Sequence, residues 1–201
     1  GIKHYNYSKE YIIWSVEKSL KDLHTPYLDL LLLHRPSPLM HPNEIAAAVS
    51  VLKESGKILD FGVSNFSPSQ LSLLDNKTAV SVNQIEFSLT QHSAMHNGVL
   101  DQLLQKEILP MSWSPLGSFF KEATKTNTRI KKVLDTFTNK YNATEDQILL
   151  AWILKHPSGV IPVVGTTSKV RLQNAVKALD IELDLEDWFT LLVECQGHKV
   201  P

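Results

Sequence analysis

Five short, almost continuously apolar runs punctuate the chain, at residues 27–33 (YLDLLLL), 58–63 (ILDFGV), 80–85 (VSVNQI), 108–113 (ILPMSW) and 160–164 (VIPVV). A strand that is polar on one face would alternate; these read instead as parallel strands covered on both faces. Between them the apolar positions return at helical spacing. Residues 11–23 place Ile12, Val16, Leu20 and Leu23 on one side, and residues 42–55 do the same with Ile45, Val49 and Leu52 before Gly56, a helix-ending glycine. Ser67-Pro68 caps a helix over 69–74, and further helices are expected over 95–105 and 129–141. Thr144-Glu145-Asp146-Gln147 has capping-box spacing and opens a helix over 147–155; two more follow over 168–179 and 185–195.

Strand and helix alternating five times means parallel strands joined by right-handed crossovers. An open doubly wound sheet and a closed barrel both satisfy this. An open dinucleotide-binding sheet should carry G-x-G-x-x-G after its first strand, and the sequence has none. In a barrel, function gathers at the C-terminal strand ends. Here every strand gives way there to polar or permissive residues: His34-Arg35, Ser64-Asn65, Gln84 to Glu86, Ser114, and Gly165-Thr166-Thr167. The pattern therefore favours an α/β fold of the (β/α)8 TIM-barrel type, of which five of eight β/α units are present.

Composition narrows the partners. Twenty basic residues against 21 acidic give a net charge of -1, which provides no attraction for nucleic acid or an anionic membrane. No apolar stretch approaches the roughly 20 residues that cross a bilayer. A single cysteine, Cys195, cannot form an internal disulfide, so a cytoplasmic setting is expected.

The strand ends carry more than a pattern. L-D-L-L-L-L-H-R-P (28–36), G-V-S-N-F (62–66), V-N-Q-I-E-F (82–87), W-S-P-L-G (113–117) and I-P-V-V-G-T-T-S (161–168) occur in that order. This series resembles the aldo-keto reductase family from its fourth barrel strand to its end, and H-R-P-S-P-L-M together with W-S-P-L-G is most similar to a bacterial oxidoreductase subgroup. The resemblance implies that residues 1–201 form part of one such barrel, with the N-terminal strands absent. It also implies an NADP(H)-dependent oxidoreductase interconverting aldehydes or ketones and alcohols, with NADPH favoured over NADH and a small carbonyl compound as substrate.

The resemblance distributes the roles. His34 matches the family's substrate-orienting histidine; a neutral imidazole N–H can polarise a carbonyl without adding a mobile charge. Ser64, Asn65 and Gln84 match the residues that hold the nicotinamide carboxamide, whose two N–H donors and one acceptor suit amide partners. Trp113 matches the aromatic stacked on the nicotinamide ring, and Ser114, Leu116 and Ser118 the loop along the pyrophosphate. Gly165, Thr166, Thr167 and Ser168 lead into a helix whose N-terminus suits an anion. On that helix, Arg171 matches the contact to the adenosine 2′-phosphate and Asn174 a position near the adenine. Val163-Val164 stands where the family commonly has a basic residue, a departure that bears on NADPH preference.

Of the family's aspartate, tyrosine, lysine and histidine, only His34 is matched. Lys3, Tyr5 and Tyr7 lie in a polar segment without the family pattern and are not substitutes. The chain is therefore expected to be an incomplete, inactive part of a longer protein, with strand edges exposed at 27–33 and 160–164. Two other readings stand beside the enzyme: a catalytically inactive cofactor-binding or regulatory homologue, and an unrelated phosphate-binding barrel lyase using residues 165–168. No metal site is expected, since His92 and His96, four apart, straddle a loop.

Overall fold

The structure is a computed structural model that describes residue 2 and residues 4–200. The order is α1 (Lys9–Leu23), β1 (Leu28–Leu33), α2 (Pro42–Glu54), β2 (Ile58–Ser64), α3 (Pro68–Asp75), β3 (Val82–Glu86), α4 (Val99–Gln105), β4 (Leu109–Trp113), α5 (Lys125–Lys140), α6 (Glu145–Leu154), β5 (Ile161–Pro162), α7 (Lys169–Val176) and α8 (Leu185–Gln196). Two short 3-10 helices, Ser93–Met95 and Lys177–Asp180, complete the elements among the described residues. The residues form two compact units: Gly1–Ile85 with Asp101–Leu109, and Glu86–Leu100 with Pro110–Pro201.

In the first unit β1 pairs parallel with β2, and β2 with β3. Ile45, Ala48 and Leu52 of α2 and Leu71 of α3 are buried with Phe61 and Val63 of β2, so the apolar faces of the crossover helices cover the strands. Local chemistry sets the helix limits. α2 stops at Gly56, whose φ of 67° lies in the left-handed region; the Gly56 N–H reaches the Lys53 carbonyl (3.0 Å) and the Lys57 N–H the Leu52 carbonyl (2.9 Å), a Schellman closure. At α3 the Ser67 N–H donates to the Gln70 side chain (3.0 Å) and the Gln70 N–H to the Ser67 hydroxyl (3.4 Å).

In the second unit β4 and β5 are parallel. β5 is shorter than the apolar run 160–164 suggests. Pro162 has no N–H to give a ladder, and pairing ends after the Val163 N–H donates to the Ser112 carbonyl (2.8 Å). α6 buries seven consecutive residues, Gln147 to Ile153. So apolar a run could be a strand by periodicity alone; Gln147 decides it by accepting the Thr144 N–H (2.9 Å) at the helix start. α8 is docked on α6 by two tryptophans stacked 4.8 Å apart at 4°. Each indole N–H donates to the other's carbonyl, at 3.1 and 2.9 Å. Arg129 of α5 closes the end of α8 by donating to the carbonyls of Glu194 (2.9 Å) and Cys195 (3.3 Å).

Candidate functional site

The register of the first unit brings three sequence-predicted residues level. Leu33 of β1 lies beside Val63 of β2, and Ser64 beside Gln84 of β3. His34, Ser64 and Gln84 therefore stand next to one another at the same height on parallel neighbours. Gln84 lies within β3, which runs on to Glu86, rather than ending it. His34 is exposed just past β1 and lines a cleft of about 300 Å³ with Tyr5, Tyr7, Val16 and Leu33.

Ser64 is 3% exposed. Its hydroxyl donates to the Gln84 carbonyl (2.9 Å) and accepts from the Asn65 amide (2.9 Å). The Asn65 N–H donates to the same carbonyl (2.8 Å), while Asn65 adopts φ 61°. Asparagine tolerates the left-handed region better than most residues, and such positions gather at ligand sites. Ser64 thus serves chiefly to fix Asn65. Below it, the buried Asn83 amide donates to the Phe66 carbonyl (3.0 Å), tying β3 to the turn after β2.

Of the N-terminal tyrosines, Tyr7 donates its hydroxyl to the Arg35 carbonyl. Burial raises its pKa, so it remains a protonated donor to backbone. Lys3 lies outside the described residues.

In the second unit Trp113 ends β4 and is half-buried, and Ser114 follows at φ 50°. The Gly117 N–H donates back to the Ser114 carbonyl (2.8 Å), closing a tight turn. Leu116 and Ser118 are partly exposed beside it. Gly165, Thr166 and Thr167 form the loop before α7, and Ser168 caps that helix, accepting the Arg171 N–H (3.4 Å). Gly165 has an ordinary φ, and a Cβ built there would meet nothing within 4 Å.

Arg171 is exposed, and its guanidinium forms no ion pair among the described residues. Asn174 is differently placed. Its carboxamide oxygen accepts from Gln147 (2.9 Å) and its NH2 donates to Thr144 (3.1 Å) and to Asp146 (3.4 Å). That side chain joins α7 to the start of α6.

His92 and His96 meet edge to face, with ring centroids 5.6 Å apart. The His92 ring N–H and the Cys195 thiol both donate to the Leu89 carbonyl, at 2.9 and 3.1 Å. Burial lowers the His92 pKa and pushes the Cys195 thiol up to about 11, so the pair holds a turn rather than supplying a nucleophile. Among the described residues no three His, Cys, Asp or Glu are arranged to hold a metal ion, and no helix is long and apolar enough to cross a membrane.

Sequence reading passed over Thr90 and Asn127, which hold the 114–122 loop. The signal was faint: Ser88-Leu89-Thr90 begins two residues past the end of β3, and Asn127 sits three residues after a threonine cap.

In the first unit the amides of Asn65 and Gln84 have the donors and acceptors to hold a carboxamide; in the second, Trp113 offers a face to a planar ring, and the 165–168 loop at a helix start and the Arg171 guanidinium suit phosphate. The model of the aldo/keto reductase family matches residues 1–192. The chain is 40% identical over 203 residues to the uncharacterized oxidoreductase YcsN of Bacillus subtilis, covering 98% of this chain and 68% of that protein. It is 37% identical to a 6-dehydroglucose reductase of Agrobacterium fabrum, covering 99% and 67%. A crystal structure of the thermostable aldo-keto reductase Tm1743 with the inhibitor epalrestat matches with a TM-score of 0.82 at 26% identity, covering 94% of this chain and 67% of that one. The fold is accordingly α/β, part of a TIM barrel, and the chain spans about two thirds of these relatives' length.

Proposed function

The chain belongs to the aldo/keto reductase family, and from that membership we propose that the complete gene product reduces aldehydes or ketones to alcohols with NADPH. The observation that carries this reading is the row of His34, Ser64 and Gln84 across three neighbouring parallel strands, with Asn65 held in the left-handed region beside it.

When bound, the cofactor would supply a hydride to the carbonyl carbon. The protein's part is to bind, orient and polarise. His34 donates an N–H to the substrate carbonyl oxygen in the cleft it lines, drawing charge onto that oxygen. Asn65 and Gln84 hold the nicotinamide carboxamide, with Ser64 fixing Asn65 from behind. Trp113 covers the ring, and Ser114, Leu116 and Ser118 follow the pyrophosphate. Gly165 to Ser168 receive phosphate through backbone N–H groups, and Arg171 contacts the 2′-phosphate. Asn174, committed to α6, acts near the adenine by fixing α7 rather than by donating to the base.

Residues 1–201 match only the histidine of the family's tetrad, so this segment by itself is proposed not to turn over. Cys195, free and buried, fits work in a reducing cytoplasm. The 2′-phosphate role has a direct test. Arg171→Ala should raise the KM for NADPH roughly 10- to 100-fold, the loss of a charge-assisted hydrogen bond, while changing the KM for NADH little. Equal effects on both cofactors would remove the assignment.

A further inference from the structure

The loop after β4 is held by side chains that the nicotinamide and phosphate assignments do not use. At Ser118, the N–H donates to the Thr90 hydroxyl (2.9 Å). On its other side, the Ser118 carbonyl accepts from the Asn127 amide (3.1 Å), which also donates to the Glu122 carbonyl (2.7 Å). The Lys121 and Glu122 N–H groups converge on the Ser118 carbonyl as well, at 2.9 and 3.1 Å.

Neither holder is an incidental surface contact. Asn127 is 6% exposed, and its own N–H is capped by Thr124 (3.0 Å). Thr90 lies on a turn fixed twice over. Ser88 and Gln91 exchange backbone hydrogen bonds at 3.0 and 3.1 Å, and Leu89 receives the Cys195 thiol and His92 ring. The loop is drawn hard against this turn: a Cβ at Gly117 would lie 2.0 Å from the Thr90 hydroxyl oxygen and 2.5 Å from that of Ser88. Glycine is needed there for approach as well as for its φ of 56°.

We propose that Thr90 and Asn127 are the positioning residues of the pyrophosphate loop, holding the N–H and the C=O of Ser118 so that Ser114 to Ser118 present donors to the cofactor's diphosphate. This rests on the cofactor reading above. The hydroxyl and the amide touch no ligand; they fix the backbone that does. Preorganisation of this kind raises affinity by removing the ordering cost from the binding step, and its effect is confined to ligands that carry the diphosphate.

The test compares two ligands on the complete gene product. NADPH carries the diphosphate, whereas 2′-AMP keeps only the adenosine end. Thr90→Val should weaken NADPH binding roughly fivefold to tenfold, the scale of one net hydrogen bond, and leave 2′-AMP binding unchanged; Thr90→Ser should restore NADPH affinity. Because the ratio of the two affinities within one variant does not depend on the fraction folded, partial unfolding cannot mimic the result. Asn127→Ser provides the same comparison from the carbonyl side of Ser118. An unchanged ratio in both variants, with NADPH still bound by the unmodified protein, would overturn this inference alone. Failure of the unmodified protein to bind NADPH would overturn the cofactor reading together with it.

Discussion

Replacing His34 by alanine in the complete gene product is expected to lower kcat/KM for an aldehyde by about 10²- to 10³-fold, the scale of one preorganised donor removed from a developing oxyanion. The loss should fall on kcat/KM for the carbonyl and leave NADPH affinity unaltered, because His34 is assigned to substrate alone. The placement makes the expectation specific. His34 follows the last residue of β1, one step past the Leu33–Val63 register pair, and is exposed to a cleft. Backbone around it is fixed by Tyr7, whose hydroxyl donates to the Arg35 carbonyl. Steady-state kinetics with varied aldehyde decide the matter. A kcat/KM within twofold of the unmodified enzyme would remove His34 from the chemistry.

The second large effect is on stability. Trp152→Ala should cost about 3–5 kcal/mol, the usual range for truncating a large buried aromatic. Trp152 is 0% exposed and stacks on Trp188; its ring also lies 5.7 Å from that of Phe87. The indole N–H holds the Trp188 carbonyl (3.1 Å), so the variant also removes a hydrogen bond between α6 and α8. Trp188 would keep its bond to the residue 152 carbonyl (2.9 Å) but lose its stacking partner. Urea unfolding followed by far-ultraviolet circular dichroism measures the change. A loss below about 1 kcal/mol, less than ordinary core truncation gives, would mean that the α6–α8 contact contributes little.

How much of this was legible in the sequence varies with the range of the interaction responsible. Strand identity and helix stops were readable because they depend on neighbours. Gly56 ends α2 by its own backbone freedom, and Ser67 and Thr144 open α3 and α6 through partners three residues on. Where a local rule broke the pattern, the boundary moved. The helix expected from residue 95 begins at Val99, since Gly98 at φ 80° interrupts it and Asn97 caps the new start with its side-chain oxygen, 3.1 Å from the Val99 N–H. α5 begins at Lys125, earlier than its first apolar residue suggests, because a threonine cap and a polar first turn carry no hydrophobic period. The helix expected to reach residue 179 becomes 3-10 after Val176.

The site divides in the same way. Positions past β1 and at the ends of β2 and β4 were readable from the motifs, whereas Gln84 falls inside β3. What each side chain does with its polar atoms was not. Asn174 spends both ends of its amide on α6, 27 to 30 residues away, and Ser64 spends its hydroxyl on the Gln84 carbonyl 20 residues away. Thr90 meets Ser118 across 28 residues. No spacing rule reaches that far, so holders of this kind emerge only once the chain is folded.

The most direct test of the account is carbonyl-dependent oxidation of NADPH by the complete gene product, followed as loss of reduced-nicotinamide absorbance with a simple aldehyde as substrate. Saturable turnover is expected, in which each NADPH consumed yields one molecule of alcohol. Tight binding of NADPH with no oxidation across a panel of aldehydes and ketones would contradict it, and would identify a cofactor-binding homologue in place of a reductase.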